Sequence, residues 1–287
     1  MSPMQEKVCV VTGATSGVGL QTATELALRG ARVVLVGRET ARGVEAMDLI
    51  RRRAPKADVA IHYADLARLD QVRELGAALN AGLPRIDVLI NNAGAMFQRR
   101  QLTAYGLEKT FALNHMAYFL LSDLLRDRLI ASAPSRIVNV ASDAHRGVTL
   151  DFDDLQGEKR YSGFRAYQRS KLCNILFTRE LARRLDGTGV TVNCLHPGFV
   201  ATRFGEENGG LFRVAINLAK RVAAITPERG ALTSLYLATS SQVAGETGGY
   251  YEKSKLATPS AAAQDDDTAR RLWEVSARIA GTAPQPG

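Results

Sequence analysis

The stretch Val8–Gly19, which reads Val-Cys-Val-Val-Thr-Gly-Ala-Thr-Ser-Gly-Val-Gly, decides the fold of this chain. Its first five residues form a short run that is typical of a buried strand. Three glycines, Gly13, Gly17 and Gly19, come next, and an apolar stripe at helical spacing begins at Leu20. A strand, a glycine-rich turn and a helix in this order allow backbone amides to approach a pyrophosphate. A tight turn without a ligand has the same composition, so the rest of the chain must support this interpretation.

Short apolar runs alternate with segments of helical period along the rest of the chain, which predicts parallel strands covered by helices. The predicted strands are Val8–Thr12, Val33–Val36, Val59–Tyr63, Val88–Asn91, Ile137–Val140 and Val190–Leu195. The predicted helices run from Leu20 to near Gly30 and over Ala41–Arg53, Asp70–Leu83, Leu107–Leu129, Ala166–Leu185 and Asp266–Ile279. We therefore expect an α/β fold, a single doubly wound domain over residues 1–287 whose mostly parallel sheet has about seven strands. A segment near 203–224 is expected to cover the substrate, and a helix near 266–279 to close the fold.

Composition excludes several classes of protein. Of the 287 residues 46% are hydrophobic and 23% are charged, so the chain can bury a core and is not disordered. The net charge of +8 would suit nucleic acid, but the arginine clusters lack interleaved aromatic residues and fit solvated helix faces better. Neither the cysteines nor the histidines show metal-ligand spacing. We therefore expect neither a metal nor a nucleic-acid partner. No apolar stretch is long enough to span a membrane, so we expect a cytoplasmic protein with no membrane anchor.

The end of the second predicted strand bears on the choice of cofactor. An acidic residue at this point usually accepts hydrogen bonds from the adenosine ribose of NAD, whereas here Gly37 stands there and Arg38 follows. Arg38, with Arg42 one turn onward, can form charge-assisted hydrogen bonds with a phosphate. The pattern favours the 2′-phosphate of NADP, and a solvated arginine on a loop is the alternative.

Tyr167 and Lys171 are placed at positions i and i+4 of a predicted helix, so the phenol and the ammonium share one face. A phenol has an ordinary pKa of about 10, and a nearby cation can lower it for acid–base work at neutral pH. The same spacing is frequent by chance in surface pairs, so it does not assign the chemistry alone.

Further motifs decide whether Tyr167 and Lys171 are an acid–base pair or a chance surface pair. Thr12–Gly19 matches the pattern TGxxxGxG, Asp65 and Leu66 follow the third strand, and Asn91–Gly94 reads Asn-Asn-Ala-Gly after the fourth. Together with Tyr167 and Lys171, these motifs occur in the same order as in the short-chain dehydrogenase/reductase family, which the chain resembles over residues 7 to 251. The resemblance implies an NADP(H) site formed by Gly13, Thr15, Ser16, Gly17, Val18, Gly19, Arg38, Arg42, Asp65, Leu66, Asn92, Ala93, Gly94, Tyr167, Lys171, Pro197, Gly198, Val200 and Thr202.

The resemblance also implies four catalytic residues, Asn114, Ser142, Tyr167 and Lys171. Tyr167 would exchange a proton with the substrate oxygen while the cofactor exchanges a hydride with carbon. Ser142 would hold that oxygen, and Lys171 would lower the pKa of Tyr167 and contact the nicotinamide ribose. Asn114 would fix a water that joins Lys171 to solvent.

Other stretches narrow the resemblance to the retinol dehydrogenase group and its soluble bacterial relatives. These are Leu155–Lys159, Gly249–Tyr251 and Arg271–Ser276. They imply an NADP-dependent oxidoreductase that interconverts a carbonyl and an alcohol on a small apolar substrate, and a homodimer. A protein that senses NADP(H) on the same fold without catalysis is the alternative.

The substrate pocket is expected at the carboxyl ends of the strands, where open α/β sheets bind their ligands. The residues predicted to line it are Phe97, Ala144, His145, Phe152, Phe199 and Phe212. For His145 an ordinary loop histidine is the alternative.

Overall fold

The computed structural model describes residues 4–198 and 225–282 of the chain. Its strands are β1 (Val8–Thr12), β2 (Arg32–Gly37), β3 (Val59–Tyr63), β4 (Val88–Asn91), β5 (Ser135–Val140), β6 (Val190–His196), β7 (Tyr250–Glu252) and β8 (Lys255–Ala257). Its helices are α1 (Gly17–Leu28), α2 (Thr40–Arg53), α3 (Leu69–Gly82), α4 (Lys109–Phe111), α5 (Ala117–Leu124), α6 (Arg126–Ala131), α7 (Gly163–Arg184), α8 (Pro227–Thr239) and α9 (Asp266–Ala280).

The strands form one sheet in the order β3-β2-β1-β4-β5-β6-β7-β8. Strands β1 to β7 pair in parallel, and β8 pairs with β7 in antiparallel orientation. The chain builds outward from β1 to β3 and then returns to place β4 on the other side of β1. Ligands of such sheets bind outside the carboxyl ends of the strands at this switch point. The predicted doubly wound fold is confirmed, with an eighth strand added at the edge.

Both faces of the sheet are buried, because successive strand side chains point to opposite faces. On one face Val10 packs in a core with the helices α3, α5, α7 and α9. On the other face Val11 packs in a core with α1, α2 and α8. The continuous apolar runs of the central strands are therefore the consequence of helices on both sides.

The single helix predicted over Leu107–Leu129 is wrong. The Glu108 carboxylate accepts hydrogen bonds from two backbone amides and starts α4. A π-helical turn, Ala112–Met116, then separates α4 from α5. At Leu125 the backbone has φ −97° and ψ 0°, which ends α5 before α6 begins. The apolar period continues through both interruptions, so it cannot reveal them.

The C-terminal part of the chain closes one face of the sheet. Helix α9, expected near 266–279, carries Trp273, whose ring lies 4.8 Å from that of Phe119 and stacks on Phe177 at 6.0 Å. Helix α8 and the strands β7 and β8 were not predicted. The cover expected near 203–224 lies outside the described residues.

Within the described residues, no helix combines the length and the apolar character that crossing a bilayer requires. In the same residues, no cluster of histidine, cysteine and acidic side chains could hold a metal ion. The three cysteines are buried and free, and burial raises the pKa of each thiol. Buried thiols with a raised pKa are poor nucleophiles.

The packing of Trp273 predicts the cost of removing it. Trp273→Ala should lower the free energy of unfolding by about 3 to 5 kcal/mol, because it leaves a cavity between α5, α7 and α9. Urea unfolding followed by circular dichroism measures this change. The control is Leu256→Ala, since Leu256 is 68% exposed. A loss no larger for Trp273→Ala than for this control would contradict the packing.

Candidate active site

The glycine turn after β1 approaches the turn after β4 too closely for side chains. Gly13 has φ +63°, and a Cβ there would lie 2.8 Å from the Cα of Ala93. A Cβ on Gly19 would lie 2.3 Å from the carbonyl oxygen of Gly13. The Ser16 side chain makes no capping hydrogen bond with the described part of the chain, so the first amides of α1 are open to an acceptor. This cradle fits a dinucleotide pyrophosphate.

Thr12 and Asn92 join the two turns. The Thr12 hydroxyl accepts hydrogen bonds from the backbone N–H of Asn92 at 2.8 Å and of Ala93 at 3.1 Å. The Asn92 side-chain amide donates back to the Thr12 carbonyl at 2.8 Å. Thr12 is not among the predicted site residues, since a threonine in a strand is an ordinary strand residue. Its position directly before the glycine turn is the signal that could have identified it.

Asp65 and Leu66, which the family resemblance implies would contact the adenine of the cofactor, lie in the turn after β3. The Asp65 carboxylate accepts a hydrogen bond from the Ala67 N–H at 3.1 Å, and its backbone N–H donates to Gln71 Oε1 at 2.7 Å. Leu66 is buried. These bonds fix the backbone of the turn that would border the adenine.

The end of β2 places two arginines around one carboxylate. Glu39 Oε1 lies 3.3 Å from Arg38 Nη2, and Glu39 Oε2 lies 3.1 Å from Arg42 Nε. All three side chains are exposed. Glu39 was not predicted, although a carboxylate beside a phosphate-binding arginine bears directly on cofactor choice.

A steric constraint explains why residue 37 is a glycine. A Cβ at Gly37 would lie 2.4 Å from Cγ2 of Thr15 in the glycine turn. The absence of the usual acidic residue therefore allows β2 to approach this turn closely.

Helix α7 brings Tyr167 and Lys171 to the carboxyl end of β5. Ser162 caps the start of this helix by accepting the Arg165 N–H. The buried Lys171 ammonium donates to the Val140 carbonyl at 2.8 Å and lies 5.7 Å from the centroid of the Tyr167 ring. The Ser142 side chain forms a hydrogen bond with the Tyr167 phenol. The structure thus assembles three of the four predicted catalytic residues.

Burial opposes the charged form of both titratable groups. It raises the pKa of Tyr167 to about 12, against a lowering contribution from the Ser142 hydrogen bond. It lowers the pKa of Lys171 to about 7. The expected lowering of the Tyr167 pKa is wrong for this arrangement, because desolvation of the phenolate outweighs the favourable interactions. A phenolate and an ammonium formed together would offset each other's desolvation.

The π-helical turn presents the fourth predicted residue, Asn114, which is fully buried. Its Oδ1 accepts the Ala95 N–H at 2.9 Å, and its Nδ2 donates at 2.9 Å to both the Ala95 carbonyl and the Ser170 hydroxyl. A Cβ on Gly94 would lie 3.3 Å from Asn114 Oδ1 and 3.4 Å from Lys171 Nζ. Asn114 and Lys171 therefore flank one small space beside Gly94.

Two of the predicted substrate residues follow Ser142. Ala144 is half-buried and donates its N–H to the Ser142 hydroxyl oxygen at 3.2 Å. His145 is fully buried, with Nδ1 2.7 Å from the Ser142 carbonyl and Nε2 accepting the Ser260 N–H at 3.0 Å. Because both ring nitrogens are occupied by backbone groups, His145 holds this loop against the C-terminal segment rather than facing a substrate.

Two of the predicted substrate phenylalanines, Phe97 and Phe152, lie among the described residues, and both are held by neighbours. Phe97 is buried beneath the Lys109 ammonium, which lies 4.5 Å from the ring centroid. Phe152 packs under the Arg271 guanidinium at 4.3 Å, which places it beside α9.

The segment after β6 is described only at its start. Pro197 and Gly198 follow the strand, and Gly198 has φ +88°. The predicted cofactor residues Val200 and Thr202 and the predicted substrate residues Phe199 and Phe212 lie outside the described residues.

Comparisons with known proteins show similarity along most of the chain. Residues 7–209 match the short chain dehydrogenase family. Human retinol dehydrogenase 13 is 42% identical over 280 residues, which cover 96% of this chain and 85% of that protein. A crystal structure of an uncharacterised protein from Mycobacterium paratuberculosis has a TM-score of 0.80 and 32% identity and covers 98% of this chain and 96% of its own. An actinorhodin polyketide ketoreductase solved with NADPH has a TM-score of 0.68 and 25% identity, over 85% of this chain and 94% of its own. The resemblance predicted from the motifs is confirmed.

Burial of Lys171 predicts a pH dependence of stability. Its pKa of about 7 in the folded chain lies below the ordinary 10.5, so the unfolded chain binds more protons between these values. The contribution of Lys171 to stability therefore increases as pH rises above 7. Lys171→Met should gain stability relative to wild type at pH 6 and lose this advantage by about 1.4 kcal/mol per pH unit between pH 7 and 9.5.

Urea unfolding at several pH values measures this difference. The matched control is Lys56→Met, because Lys56 is exposed. The same pH dependence in both variants would show that Lys171 is solvated in the folded chain.

Proposed function

From the premise that this chain belongs to the short chain dehydrogenase family, a family of oxidoreductases that bind nicotinamide cofactors and act on alcohol or carbonyl groups, we propose the following activity. The protein interconverts a carbonyl and an alcohol on an apolar substrate with NADP(H), and Tyr167 is the acid and base. The observation that carries the proposal is the grouping of Ser142, Tyr167, Lys171 and Asn114 at the carboxyl ends of β4 and β5. The name of the human relative, a retinol dehydrogenase, supports an alcohol on an apolar body.

The residues of this chain would act on the substrate oxygen. Ser142 already lies within hydrogen-bond distance of the Tyr167 phenol, so an oxygen between them would be bound by both. Tyr167 donates its proton to that oxygen during reduction and removes it during oxidation. When bound, the cofactor supplies or accepts the hydride.

Lys171 stabilises the charge that proton transfer leaves on Tyr167. The phenolate costs most in a desolvated site, and the ammonium lies 5.7 Å from the centroid of the ring. Asn114 has its amide fixed by Ala95 and Ser170, and its Oδ1 faces the space shared with Lys171. This oxygen can orient a donor that supplies protons to the lysine.

The preference for NADP(H) rests on the two arginines after β2. Arg38 and Arg42 are held on opposite oxygens of Glu39, so two guanidinium groups face one carboxylate. A 2′-phosphate carries more negative charge than the carboxylate with which it would compete, and guanidinium groups bind it in a bidentate manner. Glu39 weakens the preference without reversing it, because the local charge stays positive.

Removal of the phenol tests the proposed acid. Tyr167→Phe should reduce turnover by about a hundred- to ten-thousand-fold, the usual contribution of general acid catalysis, and leave the Kd for NADPH within about twofold. The decrease of NADPH fluorescence during incubation with apolar ketones and aldehydes, including retinal, measures turnover, and a fluorescence titration with NADPH in the absence of substrate measures the Kd. Tyr105→Phe is the control, since Tyr105 is 53% exposed. Tyr167→Phe retaining more than a tenth of the wild-type rate would exclude Tyr167 as the acid.

The same assay of the wild-type protein with ketones and aldehydes separates an enzyme from a protein that only senses NADP(H). NADPH binding without turnover on any carbonyl compound would favour the redox-sensing alternative.

Substitution of the arginines tests cofactor choice. The double variant Arg38→Gln with Arg42→Gln should lower the ratio of kcat/KM for NADPH to that for NADH by about ten- to a hundred-and-fifty-fold. Glu39→Gln should raise the same ratio, because it removes the competing carboxylate. Gly37 is left unchanged, since a side chain there would collide with Thr15.

The matched control on the same helix is Arg53→Gln, because Arg53 pairs with Glu25 instead. Equal efficiencies with NADPH and NADH in the wild type would overturn the proposed preference.

A further inference from the structure

A cavity of about 270 Å³ lies between α4, the first turns of α7 and the loop that precedes α7. Tyr167 and Lys171 do not line it, but Ser170 does. The Ser170 hydroxyl accepts from Asn114 Nδ2 at 2.9 Å and donates to the Tyr167 carbonyl at 2.7 Å. The cavity is therefore separate from the proposed active site and is joined to it through one hydrogen-bonded serine.

Three arginines, Arg160, Arg165 and Arg169, line this cavity. Arg169 donates to the backbone carbonyl of Asp154 at 3.1 Å, and neither Arg160 nor Arg165 forms an ion pair in the part of the chain that the structure describes. Further along α7, by contrast, Arg183 and Arg184 lie 2.8 Å and 2.6 Å from Glu180. In the described residues Arg160 and Arg165 thus have no carboxylate partner, unlike Arg183 and Arg184, whereas Arg169 interacts electrostatically with the Asp154 carboxylate.

The two acidic residues of the cavity wall are occupied by internal donors. Glu108 accepts from the N–H groups of Thr110 and Phe111 and from the Tyr161 hydroxyl at 3.0 Å. One oxygen of Asp154 accepts the N–H groups of residues 158 and 159. These bonds hold both carboxylates in place, and Arg160 and Arg165, which have no carboxylate partner among the described residues, remain available for an external anion.

Apolar side chains complete the wall. Phe111, Leu155 and Cys173 contribute ring, aliphatic and thiol surface. A cavity with an apolar wall and a few convergent charged groups is the usual form of a small-molecule site. Its volume lies just below the range of about 300 to 1,000 Å³ that holds drug-sized ligands, so its ligand must be compact.

We propose that this cavity is a second binding site, whose ligand is an organic carboxylate on a compact apolar body. The carboxylate pairs with Arg165 and Arg169, and the apolar body packs against Phe111 and Leu155. A ligand at this position reaches Ser170 and so biases the orientation of Asn114. This last effect rests on the proposed function, whereas the binding itself does not.

Isothermal titration calorimetry of the full chain with 1-naphthoate tests the site. We expect one site per chain, and binding of the uncharged analogue 1-naphthalenemethanol at least tenfold weaker. The double variant Arg165→Gln with Arg169→Gln should bind 1-naphthoate at least tenfold more weakly than wild type. The matched control on α7 is Arg179→Gln, because Arg179 pairs with Asp266 at 2.8 Å and does not line the cavity.

Two further variants locate the bound probe. Ala166→Leu places a larger side chain in the cavity and should abolish binding, with folding checked by circular dichroism. Tyr167→Phe should leave the affinity unchanged. No binding to wild type, equal affinity in the double arginine variant, or loss of binding in Tyr167→Phe would each overturn the proposal.

Turnover provides an independent readout. With an active substrate, saturating 1-naphthoate should change kcat in wild type at least twofold and leave kcat of the double arginine variant unchanged. Unchanged kcat in wild type would remove the link to Asn114. Failure to find any turnover would count against the proposed function alone, because the calorimetric result requires no reaction.

Discussion

The close contact between the turns after β1 and β4 is the constraint on which the rest of the structure depends. A Cβ at Gly13 would meet the backbone of Ala93, and the space instead holds the bonds that Thr12 and Asn92 exchange. This contact brings together the carboxyl ends of the two strands at which the sheet reverses its order. Backbone amides are thereby exposed where a dinucleotide must lie, and a larger side chain would close the cradle.

A buried polar network carries this order across the sheet to α7. Asn91 donates to Asn139 Oδ1 at 2.9 Å and to the Ser122 hydroxyl at 3.1 Å, and Asn139 donates to the Thr178 hydroxyl at 2.9 Å. Buried amides are costly unless they are paired, so this network permits few alternative arrangements of β4, β5 and α7. The position of Lys171 relative to β5 follows from that restriction, since its helix is held by the same bonds.

The two ends of the site work under different electrostatic conditions. Around Lys171 the protein excludes water, and burial alone moves its pKa to about 7. Around Arg38 the side chains are exposed, and charge is balanced by Glu39 and by solvent. Interactions at the buried end are therefore strong and depend on protonation, whereas those at the exposed end are screened and depend on salt. These conditions fit the proposed proton transfer at the first end and the proposed phosphate recognition at the second.

The sequence by itself determined the doubly wound fold and the glycine turn, because these depend on local period and on motifs of fixed spacing, and its resemblance to the short-chain dehydrogenase family implied the four catalytic candidates. Only the tertiary structure decided which neighbours those residues have. It interrupted the helix predicted over Leu107–Leu129 with the turn that carries Asn114, and it placed His145 between backbone groups. It also set Glu39 between two arginines and raised the pKa of Tyr167. Period and spacing record which residues share a face, whereas burial and pairing depend on segments that are distant in the chain.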